Sequence, residues 1–287
     1  MPLFGSHLSV AGGLSNALLK AHEYGFESVQ LFTKAPSQWA GKAISDEEAQ
    51  AFRRILRRTK LKKPTVHDSY LINLASPDEQ LWSRSIEAFV DEVQRAEQIG
   101  AAYLVTHPGA HMESGEDAGL AKVATALDEV LRRCAGAKVR ILLETTAGQG
   151  TSLGHRFEHL ARILSLTADS KRLGVCFDTC HVFAAGYVLA PETEYRATMR
   201  EFDRLIGVSR IKAFHLNDSK KDRGSRVDRH EHIGRGFLGL EPFRSLVNDV
   251  RFRRRPMILE TAKETLPDLG DMDAVNLAVL RNLEGAT

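Results

Sequence analysis

Short apolar runs alternate eight times with longer amphipathic stretches along these 287 residues, and few folds accept that rhythm. The runs rich in Val, Ile, Leu and Phe predict strands over 3–8, 27–32, 64–67, 101–106, 138–143, 172–177, 209–215 and 256–260. Helical spacing covers 14–24, 46–59, 78–99, 116–134, 155–167, 192–206, 240–248 and 271–283 between them. Over 78–99 the apolar positions Leu81, Ile86, Phe89, Val90, Val93 and Ile99 fall on one helical face. Strict alternation returns every strand in the same direction and so builds a parallel sheet. Eight even units with no composition break favour closure into an α/β (β/α)8 TIM barrel, a single domain over 1–287, over an open doubly wound sheet. The length suits one such barrel, which typically takes about 250 residues.

A barrel of this kind carries its chemistry just after the strands, on the C-terminal rim. The strand ends deliver His7, His67, His107, Glu144, Asp178 with His181, His215 and Glu260, and the loop after the seventh strand adds Asp228 and His230. Each piece alone has a plain reading. His107-Pro108 could end a strand, Asp178 could cap a turn beside a solvent-facing His181, and Asp228-Arg-His230 could be a charged surface loop. Glu144 after Arg-Ile-Leu-Leu says more, because a carboxylate buried beyond an apolar strand needs a cation or hydrogen bonds. The i, i+2 spacing of Asp228 and His230 sends both side chains to one side of extended backbone. All the plain readings would have to hold together, on one rim.

Imidazole and carboxylate without thiolate suit zinc, with manganese or iron as the alternatives. Nine candidates, His67, His107, Glu144, Asp178, His181, His215, Asp228, His230 and Glu260, exceed what one zinc takes, so several ions are implied. Of the three cysteines, Cys176 reads as core packing, Cys180 has no partner at zinc-ribbon spacing, and the odd count with Cys134 excludes a disulfide framework. Clustered zinc neutralises phosphate oxygens, lowers the pKa of a bound water and stabilises a leaving oxygen. Phosphodiester hydrolysis needs all three, with a bridging hydroxide attacking in line as the economical route.

The motifs GSHLSVAGGL at 5–14, HDSYLINLA at 67–75, THPGAH at 106–111, ETTAGQG at 144–150, GVCFDTCHVFAAGY at 174–187, HLNDSK at 215–220 and GSRVDRHEHIGRG at 224–236 run nearly end to end. In that order they resemble the endonuclease IV group of apurinic/apyrimidinic endonucleases. The resemblance implies a (β/α)8 barrel holding three zinc ions. One would be held by His67, His107 and Glu144, a second by Glu144, Asp178, His215 and Glu260, and a third by His181, Asp228 and His230. It implies cleavage 5′ to abasic sites in double-stranded DNA, leaving a 3′-hydroxyl and a 5′-deoxyribose phosphate, with trimming of blocked 3′ ends. Glu144 would be the catalytic carboxylate, bridging two ions and open to a role as general base.

The same resemblance implies that DNA is bent and the abasic nucleotide flipped out, with loop side chains filling the gap. Tyr70 and Leu71 match that wedge, against the plain reading of an aromatic–apolar packing pair; unstacking is easiest where a base is already missing. Gln38 lies in the companion loop, while Trp39 reads as core. Lys220, Lys221, Arg226 and Arg229 are expected to meet phosphates. The family commonly has a basic residue where Ser37 stands, and serine cannot replace it in the gap. The basic runs Arg53 to Lys63 and Arg251 to Arg255 precede strands and read as solvated charge on the opposite face.

Composition excludes other classes. With 43% hydrophobic and 26% charged residues the chain reads as soluble and globular, and no signal peptide or span of about 20 apolar residues appears. It is therefore expected in the cytoplasm, without membrane contact, and as a monomer. A net charge of +2 does not itself argue for nucleic acid. The rival reading, a sugar isomerase or epimerase using one metal on the same barrel, would need neither the third ligand set nor the wedge.

Overall fold

The computed structural model describes residues 1–285. Chain order begins β1 (Leu3–His7), α1 (Ser15–Tyr24), β2 (Ser28–Leu31), α2 (Asp46–Thr59), β3 (Thr65–His67), α3 (Glu79–Ile99), β4 (Tyr103–Thr106), α4 (Glu116–Arg133), β5 (Arg140–Glu144) and α5 (Phe157–Leu166). It continues β6 (Leu173–Asp178), α6 (Thr179–Ala184), α7 (Glu192–Leu205), β7 (Ile211–His215), β8 (Asp218–Ser219), β9 (His230–Glu231), α8 (Glu241–Val247), β10 (Pro256–Leu259), β11 (Thr265–Leu266), β12 (Gly270–Asp271) and α9 (Met272–Leu283). Every predicted strand and helix has a counterpart with ends within two residues of those expected. The signals are local: Ser45 and Asp78 accept the Glu48 and Leu81 amides to start α2 and α3, and left-handed Gly100 closes α3.

Among the described residues, parallel strands close the barrel in the order β1-β10-β7-β6-β5-β4-β3-β2. Most of the apolar core lies between this barrel and its helices. A smaller cluster of Val105, Leu142, Cys176 and Ala213 fills the barrel's waist. Because strand side chains alternate, residues two positions further along share the inward face. Above the waist these are His107, half-buried, and Glu144, Asp178 and His215, all buried. The rhythm that makes the strands thus also stacks the polar side chains in one chamber.

Three features depart from the sequence reading. The stretch after Asp178 is not a loop but the short helix α6, and the rim loops carry the small antiparallel pairs β8–β9 and β11–β12. The basic runs are not wholly solvated: Arg53, Arg54, Arg57 and Arg58 are exposed, but Lys63 and Arg255 are half-buried. Both stand just before strands, at the N-terminal mouth of the barrel. No helix among the described residues is long and apolar enough to cross a membrane.

Candidate metal centre

Glu144 ends β5 and is fully buried at the centre of the upper chamber. Its Oε2 lies 3.3 Å from both His67 Nε2 and His107 Nε2, and its Oε1 lies 2.8 Å from His215 Nδ1. Glu260, just past β10, places Oε2 3.1 Å from the same His215 nitrogen. On the other side, His181 Nε2 is 3.1 Å from Asp228 and 3.4 Å from His230 Nε2, which is itself 3.3 Å from Asp228. Side-chain ligand atoms converge in the groups His67–His107–Glu144, Glu144–Asp178–His215–Glu260 and Asp178–His181–His230. Eight of the nine candidates fall in these groups, and the ninth, Asp228, adjoins them through His181 and His230.

The hydrogen bonds behind these groups test whether a metal fits. His67 Nδ1 lies 3.0 Å from the Asp68 carbonyl, His181 Nδ1 2.8 Å from the Thr145 carbonyl and His230 Nδ1 3.3 Å from the Glu260 carbonyl. Carbonyls only accept, so each Nδ1 carries a proton, and in the neutral ring Nε2 is the nitrogen whose lone pair would face a metal. His215 is reversed: Gln30 Oε1 accepts from its Nε2 at 2.9 Å, leaving Nδ1 inward. Ligand imidazoles at metal sites are held by this kind of outer partner. The residues fit a cluster of divalent ions.

The electrostatics agree. Burial penalises the Glu144 carboxylate, but the surrounding imidazoles, His215 foremost, hold it well below the usual carboxylate range. Burial likewise opposes charge on His181 and His215, and nearby anions still raise both well above the ordinary histidine value. Asp228 is held down to about 2, against its desolvation, by His181 and His230. Asp68, buried under His67, is pushed up to about 7 by desolvation. Without cations the chamber is a mesh of carboxylates and imidazolium groups.

Some outcomes were not legible in advance. Asp178 caps α6 by accepting the His181 amide at 2.7 Å, yet His181 is buried rather than solvent-facing, so cap and candidate ligand coincide. Cys180 Sγ lies within 4.8 Å of ligand atoms of Asp228 and His230; it donates to the Arg229 carbonyl at 3.7 Å, and desolvation pushes the thiol up to about 12. Gln30, Asn217 and Thr145 went unmarked. Gln30 Nε2 donates to Glu260 at 2.6 Å, and Asn217 donates to Asp178 while accepting the Glu260 amide. The available signal was parity: Gln30 is a polar residue inside a buried strand, on the inward face. A further group, Glu116 with His155 and His159, needs no metal, because His159 Nδ1 accepts the Gly154 amide and its Nε2 then donates to Glu116 at 3.1 Å.

A cleft of about 660 Å³ opens above the centre, lined by His7, Tyr70, His107, His181, His230 and Lys263 among others. A larger hollow of about 1150 Å³ lies between α7 and α8 and touches none of the nine candidates. Tyr70 stands 70% exposed at the cleft edge, its ring edge-on to Phe32, with Leu71 half-buried beside it. The Tyr70 amide and the Ser69 hydroxyl both donate to the Pro36 carbonyl, joining this loop to the one bearing Ser37 and Gln38, both exposed. Trp39 packs on the core under Arg84. Lys220, Lys221, Arg226 and Arg229 are exposed, and Arg226 leans toward His155 at 3.5 Å.

Comparison with known proteins follows the same line. A family model described as a xylose isomerase-like TIM barrel matches residues 18–283. A probable endonuclease 4 of Chloroflexus aurantiacus is 54% identical over 283 residues, 99% of this chain and 98% of the relative. Another from Geobacter sp. strain M21 is 47% identical over 283 residues, 99% of each chain. The crystal structure of endonuclease IV from Thermus thermophilus superposes with a TM-score of 0.86 at 35% identity, covering 98% of both chains. A D-tagatose 3-epimerase-like protein, at 22% identity and a TM-score of 0.74, shares the fold alone. Identity of this extent over nearly the whole chain means that the protein belongs to the endonuclease IV family.

Proposed function

We propose that the chain is a zinc-dependent DNA repair endonuclease. It hydrolyses the phosphodiester 5′ to an abasic site in duplex DNA, leaving a 3′-hydroxyl and a 5′-deoxyribose phosphate, and trims blocked 3′ ends. The observation that carries this reading is the convergence of three ligand groups that share Glu144 and Asp178, with imidazoles oriented from behind. His67, His107 and Glu144 would hold one ion, Glu144, Asp178, His215 and Glu260 a second, and His181, Asp228 and His230 a third. Bound zinc, or manganese in its place, would supply charge neutralisation at the phosphate and a water of lowered pKa.

The protein's own groups set the stage for that chemistry. Glu144, ionised in the chamber, orients three imidazoles at once. Asn217 ties Asp178 to the backbone of Glu260, so two ligand-bearing elements keep one spacing. Tyr70, Leu71 and Gln38 form the edge that would enter the duplex where the base is missing. Lys220, Arg226 and Arg229 would meet the phosphates on either side. Ser37 adds no charge to that edge. The epimerase-like neighbours argue for fold only, and a one-metal reaction leaves the His181–Asp228–His230 group without a purpose.

The test is incubation with a duplex oligonucleotide carrying one abasic analogue, with and without a strong zinc chelator. One nick 5′ to the lesion is expected, lost on chelation and restored by zinc. Intact duplex after treatment with fully metal-loaded protein would refute the proposal.

A further inference from the structure

At the opposite mouth of the barrel the inward side chains take no part in the metal centre, and their charges are all of one sign. Along β5, Arg140, Leu142 and Glu144 alternate onto one face, so Arg140 lies below the apolar waist as Glu144 lies above it. Tyr103 is in register with Arg140 and with Thr65, and Lys63 precedes Thr65 by two residues on the same face. Lys212 reaches this mouth through a bulge: Val175 pairs with Ile211 and Cys176 with Ala213, leaving Lys212 as the extra residue. Gly174 makes the room, since a Cβ there would sit 2.8 Å from Lys212 Cγ and 2.7 Å from Leu142 Cδ2. Arg255, at the entry to β10, is half-buried and near enough to Tyr103, Lys63 and Lys212 for its charge to bear on all three.

Their hydrogen bonds leave the charge uncompensated. Lys63 Nζ donates to the Arg254 carbonyl at 2.7 Å and Lys212 Nζ to the Ser209 carbonyl at 2.6 Å, neutral acceptors that each use one of three ammonium protons. Arg255 Nε is buried with no hydrogen-bond partner among the described residues. The charges bearing on Lys63 are Arg255 and Arg254, and those bearing on Lys212 are Arg255, Arg140, Arg210 and Lys63. Burial first, and these cations second, hold both ammonium groups below the ordinary lysine value. Barrel interiors of this type are usually packed with bulky branched apolar residues. A tier of mutually repelling cations stands where such packing belongs.

We propose that this mouth binds a phosphate dianion, free or as the terminal group of a small phosphomonoester, through Lys63, Arg140, Lys212 and Arg255. A tetrahedral oxyanion offers acceptors in several directions at once, matching two guanidinium forks and two ammonium groups. Two negative charges offset the repulsion better than one carboxylate. The buried Arg255 Nε would gain the acceptor it lacks.

Metal-loaded protein is titrated calorimetrically with inorganic phosphate and, separately, with dAMP, as wild type, Lys212→Gln and Arg140→Gln. Any phosphate binding at the metal centre is common to all three, because both residues lie beyond the apolar waist. The wild type is expected to show a further binding event that either substitution weakens by about tenfold or more. Tighter binding of dAMP assigns the site to a phosphomonoester, and tighter binding of phosphate to the free ion. Identical isotherms for all three proteins overturn the proposal. Melting temperatures guard against misfolding: without phosphate each variant should melt at or above the wild type, since a repelling charge is gone, and phosphate should raise the wild-type value more. Variants that melt lower without phosphate also overturn it, because something other than an absent anion would then be balancing these cations.

Discussion

Glu144 belongs both to the four-residue ligand group and to the group it forms with His67 and His107, so its replacement disturbs both. Glu144→Ala should abolish nicking of abasic duplex while circular dichroism still reports a folded barrel; sustained turnover by the metal-loaded variant would remove Glu144 from the chemistry. Gln30 is a subtler case, because it fixes His215 and Glu260 together without facing the chamber as a ligand. Gln30→Leu should weaken zinc retention about 10–100-fold in chelator competition and leave the fold intact. Unchanged retention would mean that the strand alone positions those ligands. The pH dependence follows from His67. Burial disfavours its imidazolium, but the hydrogen bond and charge of Glu144 outweigh this and raise the pKa from 6.5 to about 9. A raised folded pKa stabilises the metal-free protein fully below pH 6.5, and that contribution is lost as pH climbs through about 9. Zinc needs neutral imidazole and expels the proton, so zinc affinity should rise across the same window. A flat affinity profile would place His67 outside the coordination shell. The nine candidates were legible because strand ends announce the rim, whereas Gln30, Asn217 and Thr145 act through partners that only three dimensions reveal.

Elements differ in how plainly the chain announces them. The barrel strands and long helices show periods that persist over several turns, and these were legible to within two residues. Helix α6 spans six residues, too few for a period to register, and its start is set by Asp178 folding back on the His181 amide. The strands of the β8–β9 pair are two residues long and are set by pairing across a loop. Because Asp178 serves both helix and chamber, its variants separate the two roles. Asp178→Asn keeps an acceptor for the cap and Asp178→Ala does not, so in denaturant titrations without metal the alanine form should be about 1 kcal/mol less stable. Equal stabilities would show that α6 needs no cap. The loop bearing Tyr70 makes a complementary case. With Tyr70 70% exposed, Tyr70→Ala should change stability by no more than about 0.5 kcal/mol, yet weaken binding to abasic duplex more than to intact duplex. Equal losses on both duplexes would mark the ring as packing.

At the scale of the molecule the barrel interior is layered: a chamber of carboxylates and imidazoles, a waist of Val105, Leu142, Cys176 and Ala213, and a basic mouth beneath. Ions that bind only the folded chamber stabilise the whole chain by mass action, by about 4 kcal/mol at a thousandfold excess over the dissociation constant. Chelation should therefore lower the melting temperature and added zinc restore it, and a melting curve indifferent to chelator would deny that the ions belong to the folded state. The alternation that closes the barrel also assigns each layer, which is why fold and chamber were legible together, while the inward turn of Lys212 needed the bulge to be seen. The Pro36 carbonyl, which receives both the Tyr70 amide and the Ser69 hydroxyl, has a consequence for encounter with substrate. Two loops fastened at one oxygen present a single ridge, so much of the conformational entropy otherwise lost on docking is already gone before DNA arrives. Cutting that fastening would leave every contact surface chemically intact and still slow recognition, because two separate searches would replace one.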